Sequence, residues 1–326
     1  MPTTPQTARL MELAQSYVDS TAYPDLVCVY AGGSVGRGRA DDFSDLDLMF
    51  WHGDAAGDQL QAANIEYDRE ILQVHHAQLP ALDLLQTHPW DNRFIEDGAP
   101  VYDPNGVYAR LHRAFLDFID SPQGRDLLVA QAREIVATRQ QWTRTCLGKG
   151  HFHTGAMAAM AAWTDAAFLL GYLDAGSTST GDPLANLADY PQLRRQIETN
   201  CPVQPLQDPT ELNQRAQAVR AYRHYLGEGL QHPFALDPLQ DDLMWRKVSR
   251  LRQHPDPIRS AHELYHQTYW LVLMAFDGSL EGHLQMLPPQ LAADLQGLGF
   301  AALGKKQIEH LLEVADQIVD RAPLTS

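Results

Sequence analysis

Two aspartates stand two residues apart in Ser44-Asp45-Leu46-Asp47-Leu48-Met49-Phe50-Trp51, where acidic and apolar residues alternate before an apolar end. Such alternation is the pattern of a half-buried strand. Residues two apart on a strand project to one face. Asp45 and Asp47 therefore share a face, and Leu46 and Leu48 take the core side. Adjacent carboxylates repel each other, and a hard divalent cation relieves the repulsion. Mg²⁺ is held in this way by one or two carboxylates together with substrate phosphates. Ten residues separate Asp45 from the pair Gly33-Ser34, in the glycine-dense run Ala31-Gly32-Gly33-Ser34-Val35-Gly36-Arg37-Gly38-Arg39. Backbone N–H groups at the opening of a helix can hold a phosphate, and glycine allows its close approach. The Ser34 hydroxyl adds a donor, and Arg37 or Arg39 could grip phosphate bidentately. A phosphate cradle beside a two-carboxylate metal site is equipment for phosphoryl or nucleotidyl transfer.

These residues need a scaffold, and the flanking sequence describes one. Residues 7–19 carry apolar side chains at helical spacing, and Leu26–Tyr30 reads as a short buried strand leading into the glycine-rich turn. The spacing predicts a hairpin over Ile65–Gln78 that turns near Asp68-Arg69, a short helix over Leu79–Leu85, and a last strand at Ala99–Tyr102. From Val107 onward the periodicity is helical, with helices expected at 107–120, 122–145, 153–174, 190–200, 209–230, 240–253, 257–276 and 305–320. The fold class expected is α/β: a small mixed-sheet domain over residues 1–106, then a large all-helical domain over 107–326.

The run from Ala31 to Leu48 resembles the signature of the polymerase-β-type nucleotidyltransferase superfamily, in which a Gly-Ser pair at a helix start precedes Asp-x-Asp on the next strand. With a helical domain behind it, the chain is most similar to the antibiotic nucleotidyltransferases of the aminoglycoside and lincosamide kind. The resemblance implies Mg²⁺ on Asp45 and Asp47, and ATP as co-substrate with its phosphates near Gly33, Ser34, Arg37 and Ser44. It implies transfer of a nucleoside monophosphate to a hydroxyl of a small molecule or a protein. A third carboxylate belongs on a later strand of such enzymes, and the corresponding position here is Gln73. Its neutral oxygen is a candidate metal ligand, but an amide cannot accept the acceptor's proton. Glu70 lies nearby with the wrong strand parity. The same residue favours an alternative reading, a catalytically impaired nucleotide-binding module.

The resemblance also leaves room for a base from the helical domain. Asp165, in the nearly apolar run Ala161–Phe168, is the leading candidate, in an acceptor pocket expected between the domains; Glu134 and Glu263 stand behind it. An acid in such surroundings needs a partner, so a helix–helix ion pair is the competing explanation. Tyr265, His266, Tyr269, Trp270 and Met274 read as core or as an acceptor-lining stretch. His75 and His76 point to opposite strand faces and are read as structural, and His151 and His153 as surface or capping residues.

Composition narrows the partners. The chain has 41 acidic against 25 basic residues, a formal charge of −16. A groove for nucleic acid needs a surplus of Lys and Arg, so no nucleic acid is expected. The N-terminus lacks the pattern of a signal peptide, and no long charge-free apolar run suggests a membrane span. The three dispersed cysteines, Cys28, Cys146 and Cys201, fit reduced thiols in a cytoplasmic protein.

Overall fold

The computed structural model describes residues 3–23, 25–53, 62–232 and 234–321. The chain forms two compact units, one of Met1–Leu128 with His232–Ser249 and one of Val129–Gln231 with Arg250–Ser326. Residues 107–128 and 232–249, grouped by periodicity with the helical part, thus fall in the unit that holds the sheet.

The first unit opens with helix α1 (Pro5–Ser20), whose N-cap Thr4 accepts from the Thr7 N–H. Strand β1 (Leu26–Ala31) leads into the one-turn helix α2 (Gly33–Gly36). Then come β2 (Leu46–His52), β3 (Ala62–Tyr67), β4 (Glu70–Gln78), the short helices α3 (Leu82–Thr87) and α4 (Pro89–Asn92), β5 (Ala99–Tyr102) and α5 (Val107–Ile119). The five strands lie in the order β3-β4-β2-β1-β5. The sheet is mixed: β2 and β4 run parallel, and the other neighbouring pairs are antiparallel. Among the described residues every strand lies between Leu26 and Tyr102.

The hairpin β3–β4 turns through Asp68 and Arg69, at φ 47° and 67°. Two consecutive left-handed residues make the tight turn whose twist matches antiparallel strands. The alternation in β2 sorts its side chains. Leu46, Leu48 and Phe50 join Leu72 and Val74 of β4 in a core with Leu10, Leu13, Ala14, Tyr17 and Val18 of α1. Asp45, Asp47 and Met49 are left for the opposite face.

The remaining helices are α6 (Pro122–Gly148), α7 (Phe152–Ala175), α8 (Pro191–Asn200), α9 (Pro209–Gly227), α10 (Leu239–Gln253), α11 (Pro257–Ala275), α12 (Leu280–Met286), α13 (Pro289–Leu295) and α14 (Lys305–Val319). In the second unit α7 packs on α14, and α11 on α9. Helix α7 is long and apolar enough to cross a membrane, although Asp165 interrupts its apolar run, and 83 % of its most apolar window is buried. Burial among neighbouring helices accounts for the composition. Helices α12 and α13 were not expected, because Pro288-Pro289 reads as a breaker. Pro289 instead occupies the first turn of α13, where its missing N–H costs nothing.

Candidate functional site

The approach to β2 is built by a tight turn. Ser44, buried, accepts from the Asp41 N–H at 2.9 Å and donates to Asp41 Oδ1 at 3.0 Å, while Asp41 Oδ1 also accepts from the Phe43 N–H. The Ser44 hydroxyl, expected at the nucleotide, is thus engaged in the turn that delivers Asp45. Asp47 follows on β2, and the Gly32 N–H donates to its main-chain oxygen at 2.9 Å. That bond holds the glycine turn against the strand. At Gly33, φ is +58°, and a Cβ there would lie 2.5 Å from Asp47 Oδ2. Only glycine combines this backbone with that proximity. Gly36 has a different constraint, since a Cβ would lie 2.3 Å from the Asp97 carbonyl oxygen and 2.5 Å from that of Ala31. The N–H groups of Gly36 and Arg37 return to the carbonyls of Gly32 and Gly33. The donors of Gly33 and Ser34 belong to the opening turn, where a helix has no internal acceptor for them.

Gln73 of β4 lies opposite Asp47 in the parallel ladder and opposite Asn64 in the antiparallel one. Its amide nitrogen donates to Asp45 Oδ2 and Asp47 Oδ1, both at 3.1 Å, and its oxygen accepts from Gln240 Nε2 at 3.0 Å. The reverse sense would set the amide oxygen against two carboxylates, with the nitrogen reaching Asn64 Oδ1 at 3.4 Å. Electrostatics selects the first. Gln240 Nε2 also donates to Asn64 Oδ1 at 3.0 Å, and Asn64 Nδ2 donates to the Phe234 carbonyl at 2.8 Å.

Helix α10 supplies more than Gln240. Burial and the adjacent Asp45 charge push the Asp47 carboxyl up to about 7, while the charges of Lys247 and Arg37 pull it down. Arg37 Nη1 also pairs with Asp97 Oδ2 at 3.0 Å. Glu70 shares the strand face of Leu72 and Val74 and is bound by Arg9 of α1 and, at 2.6 Å, by Arg246 of α10. Its hydrogen bonds from both arginines lower its carboxyl pKa against the opposing effect of burial. Glu70 is therefore an ion-pair residue, and Gln73 occupies the place beside the aspartates. Among the described residues, no group of three or more His, Cys, Asp or Glu side chains is placed to hold a metal ion.

The other expected residues have surroundings of their own. Asp165 is on α7 in the second unit, with Arg139 Nε at 3.4 Å from its Oδ2. Glu134 is exposed, and Glu263 accepts from Gln267 Nε2 at 3.1 Å. His76 Nδ1 lies 2.8 Å from His52 Nε2, and the His75 ring meets Phe234. His153 Nδ1 is 2.9 Å from the Phe300 carbonyl. Of the α11 stretch, Tyr265 stacks on Phe300 and is 1 % exposed, whereas Trp270 is 65 % exposed. The hydroxyls of Tyr265 and Tyr269 and Nδ1 of His262 are buried without a hydrogen-bond partner among the described residues. Asn64, Gln240 and Lys247 were not foreseen as neighbours of the aspartates. Their sequence surroundings carry no phosphate or metal motif, and α10 reads only as another amphipathic helix.

No family model and no curated protein matches the chain. Among solved structures, a nucleotidyltransferase-like protein from Exiguobacterium sibiricum is similar over 89 % of each chain, at 13 % identity and a TM-score of 0.36.

Proposed function

We propose that the chain binds a nucleoside triphosphate, ATP, with Mg²⁺ and transfers its nucleoside monophosphate to a hydroxyl of an aminoglycoside-like small molecule or of a protein. The observation that carries this reading is the convergence of Asp45 and Asp47 on one strand face, with Asp47 Oδ2 against the Gly33 turn. A divalent cation suits this pair on the grounds of charge and geometry, since Gln73 lies within 3.1 Å of both carboxylates and burial, with the Asp45 charge, pushes the Asp47 carboxyl up to about 7. Asp45 and Asp47 would hold it, and when bound it would offset charge on the phosphates. Gly33 and Ser34 are offered as main-chain and hydroxyl donors to the leaving pyrophosphate, with Arg37 and Lys247 as nearby positive charge. Gln73 cannot take the acceptor's proton, so the base is sought elsewhere, with Asp165 the first candidate.

Pyrophosphate release from ATP and Mg²⁺ across a panel of hydroxyl acceptors tests the proposal. Release is expected with the right acceptor and not with Asp45→Asn. Absence of triphosphate binding in the presence of Mg²⁺ would sink it. The Gln73 amide favours a second reading, a nucleotide-binding module that does not turn over. It predicts the same binding with no pyrophosphate from any acceptor.

A further inference from the structure

An amide has two ends of opposite electrostatic sign. Its oxygen attracts a cation, and its nitrogen, which only donates, repels one. Which end of Gln73 faces the aspartates is decided by a relay whose sense is fixed at both ends. The Phe234 main-chain carbonyl only accepts, so Asn64 must turn Nδ2 to it, at 2.8 Å. Asn64 Oδ1 is then left as an acceptor for Gln240 Nε2, at 3.0 Å. The same Gln240 nitrogen donates to the Gln73 oxygen at 3.0 Å, which leaves the Gln73 nitrogen for Asp45 and Asp47. The oxygens of Asp45 and Asp47 accept those two bonds, so the far end agrees with the near one. Reversing any one amide places like against like. Asn64 is buried, which raises the cost of such a mismatch.

Resting on the reading of Asp45 and Asp47 as a cation site, we propose that Gln240 and Asn64 are positioning residues that lock Gln73 donor-inward, so that its amide partly neutralises the aspartates and keeps cation affinity low until a triphosphate brings further ligands. The locked amide stands in for the cation in the resting site. A divalent ion alone has two carboxylates to bind and a pair of N–H donors to displace. With triphosphate present, its phosphate oxygens would supply the further ligands that the two carboxylates lack. The device makes occupancy follow the nucleotide rather than the free cation concentration.

The test is titration of the full chain with Mn²⁺ alone, free Mn²⁺ being counted by electron paramagnetic resonance. Gln73→Met keeps the length of the side chain and removes both donors, and the expected result is Mn²⁺ binding at least threefold tighter than in the unmodified chain. Gln240→Met removes the lock, lets Gln73 turn its oxygen inward, and is expected to tighten binding as well. Thermal melting without metal verifies that each variant is folded. Weaker or unchanged Mn²⁺ binding in folded Gln73→Met overturns the proposal, because it would make the Gln73 oxygen a ligand or the amide a bystander. Unchanged binding in folded Gln240→Met overturns the lock. The underlying site reading fails separately: Mn²⁺ binding that is indifferent to Asp47→Asn would remove the cation site itself, and the proposal with it.

Discussion

The polar cluster on β2 and β4 is half-buried and the polar cluster on α11 is buried, and they differ in what they lack. Around Asp45 and Asp47 the amides of Gln73, Gln240 and Asn64 are partnered, yet two carboxylates press on each other. Around His262, Tyr265 and Tyr269 no two carboxylates are set against each other among the described residues, but hydrogen-bonding atoms are left over. The first cluster has crowded negative charge, on which Lys247 and Arg37 already act. The second has surplus hydrogen-bonding capacity, whose cost falls on stability. Burial of polar atoms alone is thus a poor marker of a site. Like charge held together by neutral donors is a better one.

The widest separation between the clusters should come from Asp47→Asn. It is expected to lower divalent-dependent nucleotide binding or transfer by a hundredfold or more, about 3 kcal/mol. Removing one of two repelling carboxylates should leave the melting temperature equal or higher, and calorimetry checks this. A large loss of stability would mean that the pair serves the fold.

The α11 cluster should instead respond to acid. Burial holds His262 neutral, with its pKa lowered from 6.5 to about 3, aided by the charges of His266 and Arg194. Between those values the unfolded chain takes up the proton first, so stability falls as pH drops below about 6.5. The loss attributable to this group is about 2 kcal/mol at pH 5. Denaturant unfolding of the chain and of His262→Phe at pH 7 and pH 5 measures it, and the variant should show the shallower dependence. Equal slopes would place the titration elsewhere.

A smaller effect of opposite sign is expected at Tyr265. Its hydroxyl is buried and unpartnered among the described residues, so Tyr265→Phe should leave stability unchanged or raise it by up to about 1 kcal/mol. A clear loss would reveal a partner for that hydroxyl and make the cluster a polar site after all. The smallest effect belongs to Glu70→Gln, which weakens partly exposed ion pairs to Arg9 and Arg246. It should cost roughly 0.5–1 kcal/mol and leave Mn²⁺ affinity unchanged. A drop in affinity would draw Glu70 into the cation site.

Local periodicity made much of this fold legible. The alternation from Asp45 to Phe50 sorts carboxylates from core residues, and the hairpin turn at Asp68-Arg69 and the change to helix at Val107 follow from the same kind of pattern. The parity of β4 separates Gln73 from Glu70 before any coordinate is known. The sequence conceals the partners. Gln240 and Lys247 sit on a helix whose pattern reports only which side is apolar, and their approach to β2 and β4 depends on contacts distant along the chain. Ser44 is a related case. A hydroxyl next to paired aspartates suits a ligand and a turn equally, and the hydrogen bonds that engage it in the turn depend on its spacing from Asp41.

The first compact unit takes in His232–Ser249 as well as the opening 128 residues, and this has a consequence for synthesis. A ribosome releases the sheet, both aspartates and Gln73 long before it reaches Gln240. At cellular elongation rates the interval is on the order of ten seconds. During that time the nascent chain carries the carboxylate pair without the helix that orients its amide, so the cluster proposed to take a cation and nucleotide is completed only late in translation.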